Sequence, residues 1–248
     1  MNQLPVWISL LRPNLQYIAR GCVLVSSVHK TTDDSNCLRT IRISADSPKS
    51  ESDFFLLNAT RAASDLVVVS GRILREEPLY RSWPVGKYEA ELMKWRLESL
   101  GKHKLPSTLI LTASGDIDAS MRVFHCPHAN RGQIFVYGPE KTCERLRGQL
   151  PQTVSFIPAK SHSIIEAVDV CRHLIKADSC SIETGPSTSL DLLAARKIDT
   201  CLLSIYKSSN PTAVAGEFWP WPRLLQNFSA ISSLESDESW TFHLLSRL

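Results

Sequence analysis

The stretch "SCSIETGPSTSLDLLAARKIDTCLLSIYK", residues 179–207, decides the fold. It holds two short apolar runs, 179–184 and 200–206, joined by a helical pattern that starts directly after Glu183-Thr184-Gly185-Pro186. Short continuous apolar runs bounded by turn residues read as strands buried on both faces. A strand, a helix and a second strand at this spacing make a right-handed crossover between parallel neighbours.

The same signal recurs outward in both directions. "CVLVSSV" (22–28), "DLVVVSG" (65–71), "STLILTAS" (107–114), "QIFVYG" (133–138) and "VSFIPA" (154–159) are further strand candidates. Helical patterns lie between them: "ESDFFLLNATRAAS" opening at Ser50 with Asp53 three residues on, then "YEAELMKWRLESLGKH" ending near Gly101. "SIIEAVDVCRHLIKA" carries the capping box Ser163…Glu166, with Ile164, Ala167, Val168, Cys171, Leu174 and Ile175 on one face. "STSLDLLAARK" follows the opening loop. Alternating strands and helices predict an α/β domain with a mostly parallel central sheet flanked by helices. "FSAISSLESD" and "SWTFHLLSRL" are expected to pair antiparallel through "ESDES" and finish one sheet edge, about residues 225–248. No repeat or low-complexity linker interrupts the chain, so 1–248 reads as a single domain, and the polar region 29–50 reads as a loop near the site.

Composition narrows the function classes. Of 248 residues, 28 are basic and 25 acidic, a formal charge of +3 without a clustered basic run, which argues against nucleic acid as the main partner. No apolar run approaches the roughly 20 residues of a membrane span. The N-terminal stretch lacks a basic leader and a small-residue cleavage site, so a cytoplasmic location is expected. Seven cysteines, an odd number and mostly within apolar stretches, fit reduced buried thiols better than a disulfide framework.

Three strand ends carry the candidate chemistry. At Glu183-Thr184-Gly185-Pro186-Ser187 a strand passes straight into a helix, whose unpaired N–H groups and dipole favour an anion. Gly185 allows close backbone approach or positive φ, Pro186 pre-sets the first turn, and Ser187 or Ser189 can cap it. The same turn also serves simply to reverse the chain. Ser70-Gly71-Arg72 has the same logic, with Arg72 as a charge-assisted phosphate ligand or an ordinary surface arginine. Thr112-Ala113-Ser114-Gly115 offers hydroxyls at the same sheet edge, where open α/β sheets take their ligands. "FHCPH" (124–128) places His125, Cys126 and His128 together but lacks the second ligand pair of a zinc site, so no metal is expected. "WPWP" (219–222) reads as packing over a sheet edge or as a docking strip.

In order and spacing, "LLNATRAASDLVVVSGRILREEP", "LPSTLILTASGDIDASMRVF" and "SIETGPSTSLDLLAARKIDTCLLSIY" resemble the reductase domain of the bifunctional riboflavin deaminase-reductase family, of dihydrofolate-reductase-like fold. Arg61, Asp65, Thr112, Ser114, Glu183, Gly185, Pro186, Leu193 and Asp199 fall on the family's positions, over roughly residues 20–207. The resemblance implies NADPH-dependent reduction of a phosphoribosylamino-pyrimidine to its ribityl form by a homodimer. It implies that Gly71 and Arg72 face cofactor phosphates and Thr112 and Ser114 the adenosine end. Thr184, Gly185, Pro186 and Ser187 would follow the pyrophosphate and nicotinamide, with Glu183 beside the substrate.

The departures are specific. The family's first strand ends in Ser-Leu-Asp-Gly after a lysine; here Ser27 is kept, His29 stands at the aspartate, Lys30 at the glycine, and no lysine precedes them. Gly71-Arg72-Ile73-Leu74 lacks the family threonine, Thr184 replaces one glycine, and the zinc-binding deaminase signature is missing. His29 is then the candidate titratable substitute in a loop. Two readings stand: an active reductase using Glu183 and His29, or a catalytically lapsed relative kept as a nucleotide-binding or scaffold module. The active reading requires His29, Lys30, Asp33 or Asp34 to reach the substrate side of the groove. A third, a purely structural interaction protein docking through "FWPWP", predicts no nucleotide affinity.

Overall fold

The structure is a computed structural model that describes residues 14–30, 37–41, 47–159, 163–207, 218–220, 226–237 and 239–248. Asp33, Asp34 and residues 221–222 lie outside the described residues, as does the side chain of Lys30. In chain order the elements are α1 (Leu15–Ile18), β1 (Gly21–Lys30), β2 (Cys37–Thr40), α2 (Glu51–Ala63), β3 (Leu66–Ser70), α3 (Gly71–Glu76), α4 (Glu89–Glu98) and β4 (Ser107–Leu111). Then follow β5 (Ile134–Gly138), α5 (Glu140–Arg147), β6 (Val154–Pro158), α6 (Ile164–Ile175), β7 (Ser179–Glu183), α7 (Pro186–Ala194), β8 (Thr200–Tyr206), β9 (Phe218–Pro220), β10 (Phe228–Asp237) and β11 (Trp240–Arg247).

Among the described residues these strands form one sheet in the order β10-β11-β8-β1-β7-β3-β4-β5-β6, with β2 paired to β1 and to β9. The seven strands from β8 to β6 are mutually parallel, and β11 and β10 close one edge antiparallel. The chain steps outward through β3, β4, β5 and β6, then returns to insert β7 between β1 and β3. All seven parallel strands therefore finish at one edge. The buried run of β3 and the fully buried β4 and β7 explain why these segments read as unbroken apolar stretches.

Alternation assigns the two faces. Leu66, Val68, Leu109, Phe135 and Ile182 point into a core shared with Ala167, Val168 and Cys171 of α6 and Leu192 of α7. On the opposite face, Val23 and Leu202 pack with Phe55 and Leu56 of α2 and Leu92 of α4. Val69, Ile110 and Val136 pack there with Leu74 of α3 and Leu146 of α5. Both expected caps form: Ser50 Oγ accepts from Asp53 N at 3.2 Å, and Ser163 Oγ from Glu166 N at 3.4 Å.

Region 29–50 is not wholly a loop. β1 runs to Lys30, and Cys37–Thr40 turns back to pair with it, His29 opposite Arg39. The other side of β2 takes Phe218–Pro220, so the first half of "FWPWP" is a sheet-edge strand. His29 is correspondingly not a loop residue. It sits in β1 with 3% of its surface exposed, opposite Tyr206 of β8, the ring centroids 6.1 Å apart.

Candidate functional site

Strand register brings three of the expected strand ends to one level. Val69 pairs with Glu183 across β3 and β7, and Ser70 pairs with Leu111 across β3 and β4. The handovers Thr184-Gly185, Ser70-Gly71 and Thr112 therefore stand side by side at the carboxyl edge. Their closeness is measurable at Gly71, where a Cβ would sit 3.1 Å from the Thr112 side chain. Gly71 is small because α3 starts against β4 at this point.

The Gly185 corner differs from expectation in detail. Gly185 has φ −66° and ψ 168°, so extended backbone and not a left-handed turn brings the chain into α7. It is the N-cap itself and makes no side-chain cap bond, with Pro186 next. Neither serine caps the helix. Ser189 Oγ instead reaches back to Thr184 O at 3.2 Å and lies 3.0 Å from Thr184 Oγ1, while Ser187 is exposed. The first turn of this nine-residue helix thus starts without a side-chain cap, with Ser187 exposed and Pro186 and Ser189 buried. Arg72 is exposed on the adjoining helix start, 3.1 Å from Glu76, and Ser114 is exposed beyond β4. Thr112 Oγ1 accepts from Gly115 N at 2.9 Å and so shapes its turn from within.

Glu183 is not free for proton transfer. Its carboxylate receives Arg61 Nε at 3.0 Å and Arg61 Nη2 at 2.7 Å, with Tyr80 Oη–H donating at 2.7 Å and Ser181 Oγ–H at 3.4 Å. Arg61 also lies over the Tyr80 ring, 4.8 Å from its centroid. Burial and the Glu183 carboxylate both push the Tyr80 hydroxyl above its usual range. Glu183 is thereby an anchor that ties β7 to α2 and to the segment after α3.

The other acidic positions of the resemblance are anchors too. Asp65 accepts from Ser179 N and Asp178 N at 3.1 Å and pairs with Lys102 Nζ at 2.7 Å. Asp199 Oδ2 accepts from Cys22 N at 2.8 Å, directly against Gly21, whose φ is +68°. Arg61, Asp65, Glu183 and Asp199 bind strand to strand or strand to helix.

His29 is not brought to this corner. Leu24 is level with Ile182, so His29 lies four residues beyond the Glu183 level, about 13 Å further along the strand direction. Sequence reading missed two carboxyls nearer the edge. Asp53 accepts from Ser27 Oγ at 2.8 Å, and burial pushes its carboxyl up against hydrogen bonds from Ser204 and Ser27. Burial pushes Glu77 up to about 7, against the pull of Arg61, with Glu183 and Glu76 adding to the rise. The N-cap pattern pointed to Asp53 only as a helix-start residue, and nothing in the sequence around Glu77 marks its neighbours.

A parallel sheet with antiparallel edge strands, helices on both faces and aligned strand ends at the carboxyl edge is the dihydrofolate-reductase-like α/β fold. Solved structures agree on that fold. A pyrimidine reductase-like protein from Corynebacterium diphtheriae aligns over 94% of each chain with a TM-score of 0.66 at 18% identity. RibD of Acinetobacter baumannii gives 0.61 at 14% identity, over 92% of this chain and 58% of its own. Rib7, the riboflavin biosynthesis reductase of Saccharomyces cerevisiae, gives 0.59 at 9% identity, over 97% and 100%. No family model matches the chain, and no curated protein matches it. Among the described residues, no helix is long and apolar enough to cross a membrane.

Proposed function

We propose that this chain is an NADPH-dependent reductase resembling 5-amino-6-(5-phosphoribosylamino)uracil reductase, acting as a cytoplasmic homodimer on a small phosphoribosylamino-pyrimidine, with neither nucleic acid nor membrane as partner. The observation that carries the reading is the alignment of three strand ends at one edge, with the α7 N-terminus lacking a side-chain cap and Arg72 exposed beside it. That donor set suits a dinucleotide diphosphate: helix-start N–H groups, a guanidinium and exposed hydroxyls. Gly185, Pro186 and Ser187 follow the pyrophosphate and the nicotinamide side. Gly71 and Arg72 meet the phosphates, Ser114 meets the adenosine end, and Thr112 and Thr184 hold their turns in shape. When bound, NADPH supplies the hydride. The chain's part is to orient the cofactor and exclude water, and Glu183 contributes by holding the corner in place through Arg61 and Tyr80.

A second reading, a lapsed relative that keeps the groove for binding, draws on two observations. Both Glu183 oxygens are engaged by Arg61, and His29 is packed at Tyr206 away from the corner. Single-turnover oxidation of NADPH in the presence of the pyrimidine substrate separates the readings. Absorbance loss at the nicotinamide band with formation of the ribityl product supports the reductase. Saturable NADPH binding without product supports the lapsed relative.

A further inference from the structure

At the opposite edge of the sheet, where β4, β5 and β6 begin, a cavity of about 190 Å³ opens among segments that the carboxyl-edge chemistry does not use. Trp83 and Phe124 supply aromatic wall, Ser82 and Thr108 supply hydroxyls, and Cys126, Arg131, Gln133 and Thr153 add to the polar lining. Exposure orders them by depth. Ser82 and Thr108 are each 2% exposed, Cys126 is half-buried, and Arg131 is exposed at the mouth.

The floor has a hydrogen to give. Ser82 Oγ and Thr108 Oγ1 lie 2.6 Å apart, and one O–H donates to the other. Two hydroxyls carry two hydrogens, their shared bond uses one, and neither makes another hydrogen bond among the described residues. A buried donor without an acceptor is costly, so an acceptor placed in the cavity would be stabilised there. The mouth carries the opposite requirement, since a guanidinium favours a carboxylate. The walls stay close because Gly132 leaves no room for a side chain against the Pro106 carbonyl.

We propose that this cavity is a second small-molecule site, distinct from the carboxyl-edge corner, for a planar organic anion of about one ring. The carboxylate meets Arg131, the ring packs on Trp83 and Phe124, and a polar atom at its far end accepts from the Ser82–Thr108 pair. The "FHCPH" segment thereby gains a role as cavity wall. Its histidines are engaged outside it, His128 Nε2 with Glu89 at 3.4 Å and His125 Nε2 with Ala119 O at 2.7 Å.

Cys126 reports occupancy. The free cysteines at 22, 143, 171, 180 and 201 are buried, whereas Cys126 is half-buried on the cavity. The probe is 4-hydroxybenzoate, with neutral 4-hydroxybenzamide as its isostere. The readout is the rate at which iodoacetamide alkylates Cys126, resolved by peptide mass spectrometry. Occupancy slows the rate by 1 + [L]/Kd, about tenfold at about ten times Kd. The acid is expected to protect, the amide to leave the rate unchanged, and Arg131→Gln to abolish protection, each ratio being taken within one variant. No protection by the acid, equal protection by the amide, or protection that survives in Arg131→Gln overturns the proposal.

Discussion

Two N–H groups of Arg61 on α2 donate to both carboxylate oxygens of Glu183 at the end of β7, across 122 residues of chain. The pair is buried, with side chains 6% and 7% exposed, and Tyr80 completes it from a third segment. The corner that carries the functional reading is therefore held by the fold's own electrostatics.

Breaking that pair from one side leaves a buried charge without its partner. Arg61→Met and Glu183→Gln are each expected to cost about 3–5 kcal/mol in urea unfolding. The double variant Arg61→Met/Glu183→Gln is expected to cost clearly less than the sum of the two single losses. Additive losses would show that the pair is not a unit.

Glu77 sets a pH dependence. Its folded carboxyl titrates at about 7 against an ordinary value of 4.5, so the folded state prefers it protonated. The relative stability it contributes is full below about 4.5 and is lost as pH rises through about 7. Glu77→Gln is expected to flatten the unfolding midpoint across this window and to exceed the wild type at pH 8. Asp53, also raised, leaves a residual slope of the same sign. An unchanged profile would remove Glu77 from the cluster.

Gly21 tests the tie between β1 and β8. Its φ of +68° disfavours any side chain, and a Cβ would lie 2.5 Å from Asp199 Oδ2, itself bonded to Cys22 N. Gly21→Ala is expected to lose about 2–4 kcal/mol from strain and overpacking together. A loss below about 1 kcal/mol would show that Asp199 moves aside freely.

Arg72 is exposed, so Arg72→Gln is expected to unfold within about 0.5 kcal/mol of the wild type. Under the proposed function it weakens NADPH about tenfold, near 1.4 kcal/mol, and flattens the salt dependence of binding. Equal affinity in both proteins would place the phosphates elsewhere.

Much of this fold was legible because interior parallel strands buried on both faces, such as β4 and β7, announce themselves as unbroken apolar runs, and the seven expected at 22–28 through 200–206 are all present. Helix α5 was missed because "EKTCERLR" buries only Cys143 and Leu146, too few to show a stripe. Strand β2 was missed because four residues in a polar region become a strand only when β1 and β9 supply partners. The strand ends Gly71, Thr112 and Gly185 were legible as turn residues. The use of Glu183 was not, because Arg61 and Tyr80 are 122 and 103 residues away and only folding reveals that its oxygens are taken.

The central claim is that the Gly185 corner receives a dinucleotide. The direct test titrates wild type and Gly185→Val with NADPH and NADH, following nicotinamide fluorescence, alongside a urea unfolding curve for each. Because φ at Gly185 is −66°, valine fits the backbone, and the lost N-cap is expected to cost about 1 kcal/mol or less. The account predicts saturable NADPH binding by the wild type and none by the folded variant. No saturable binding by the wild type, or unchanged affinity in Gly185→Val, would contradict it.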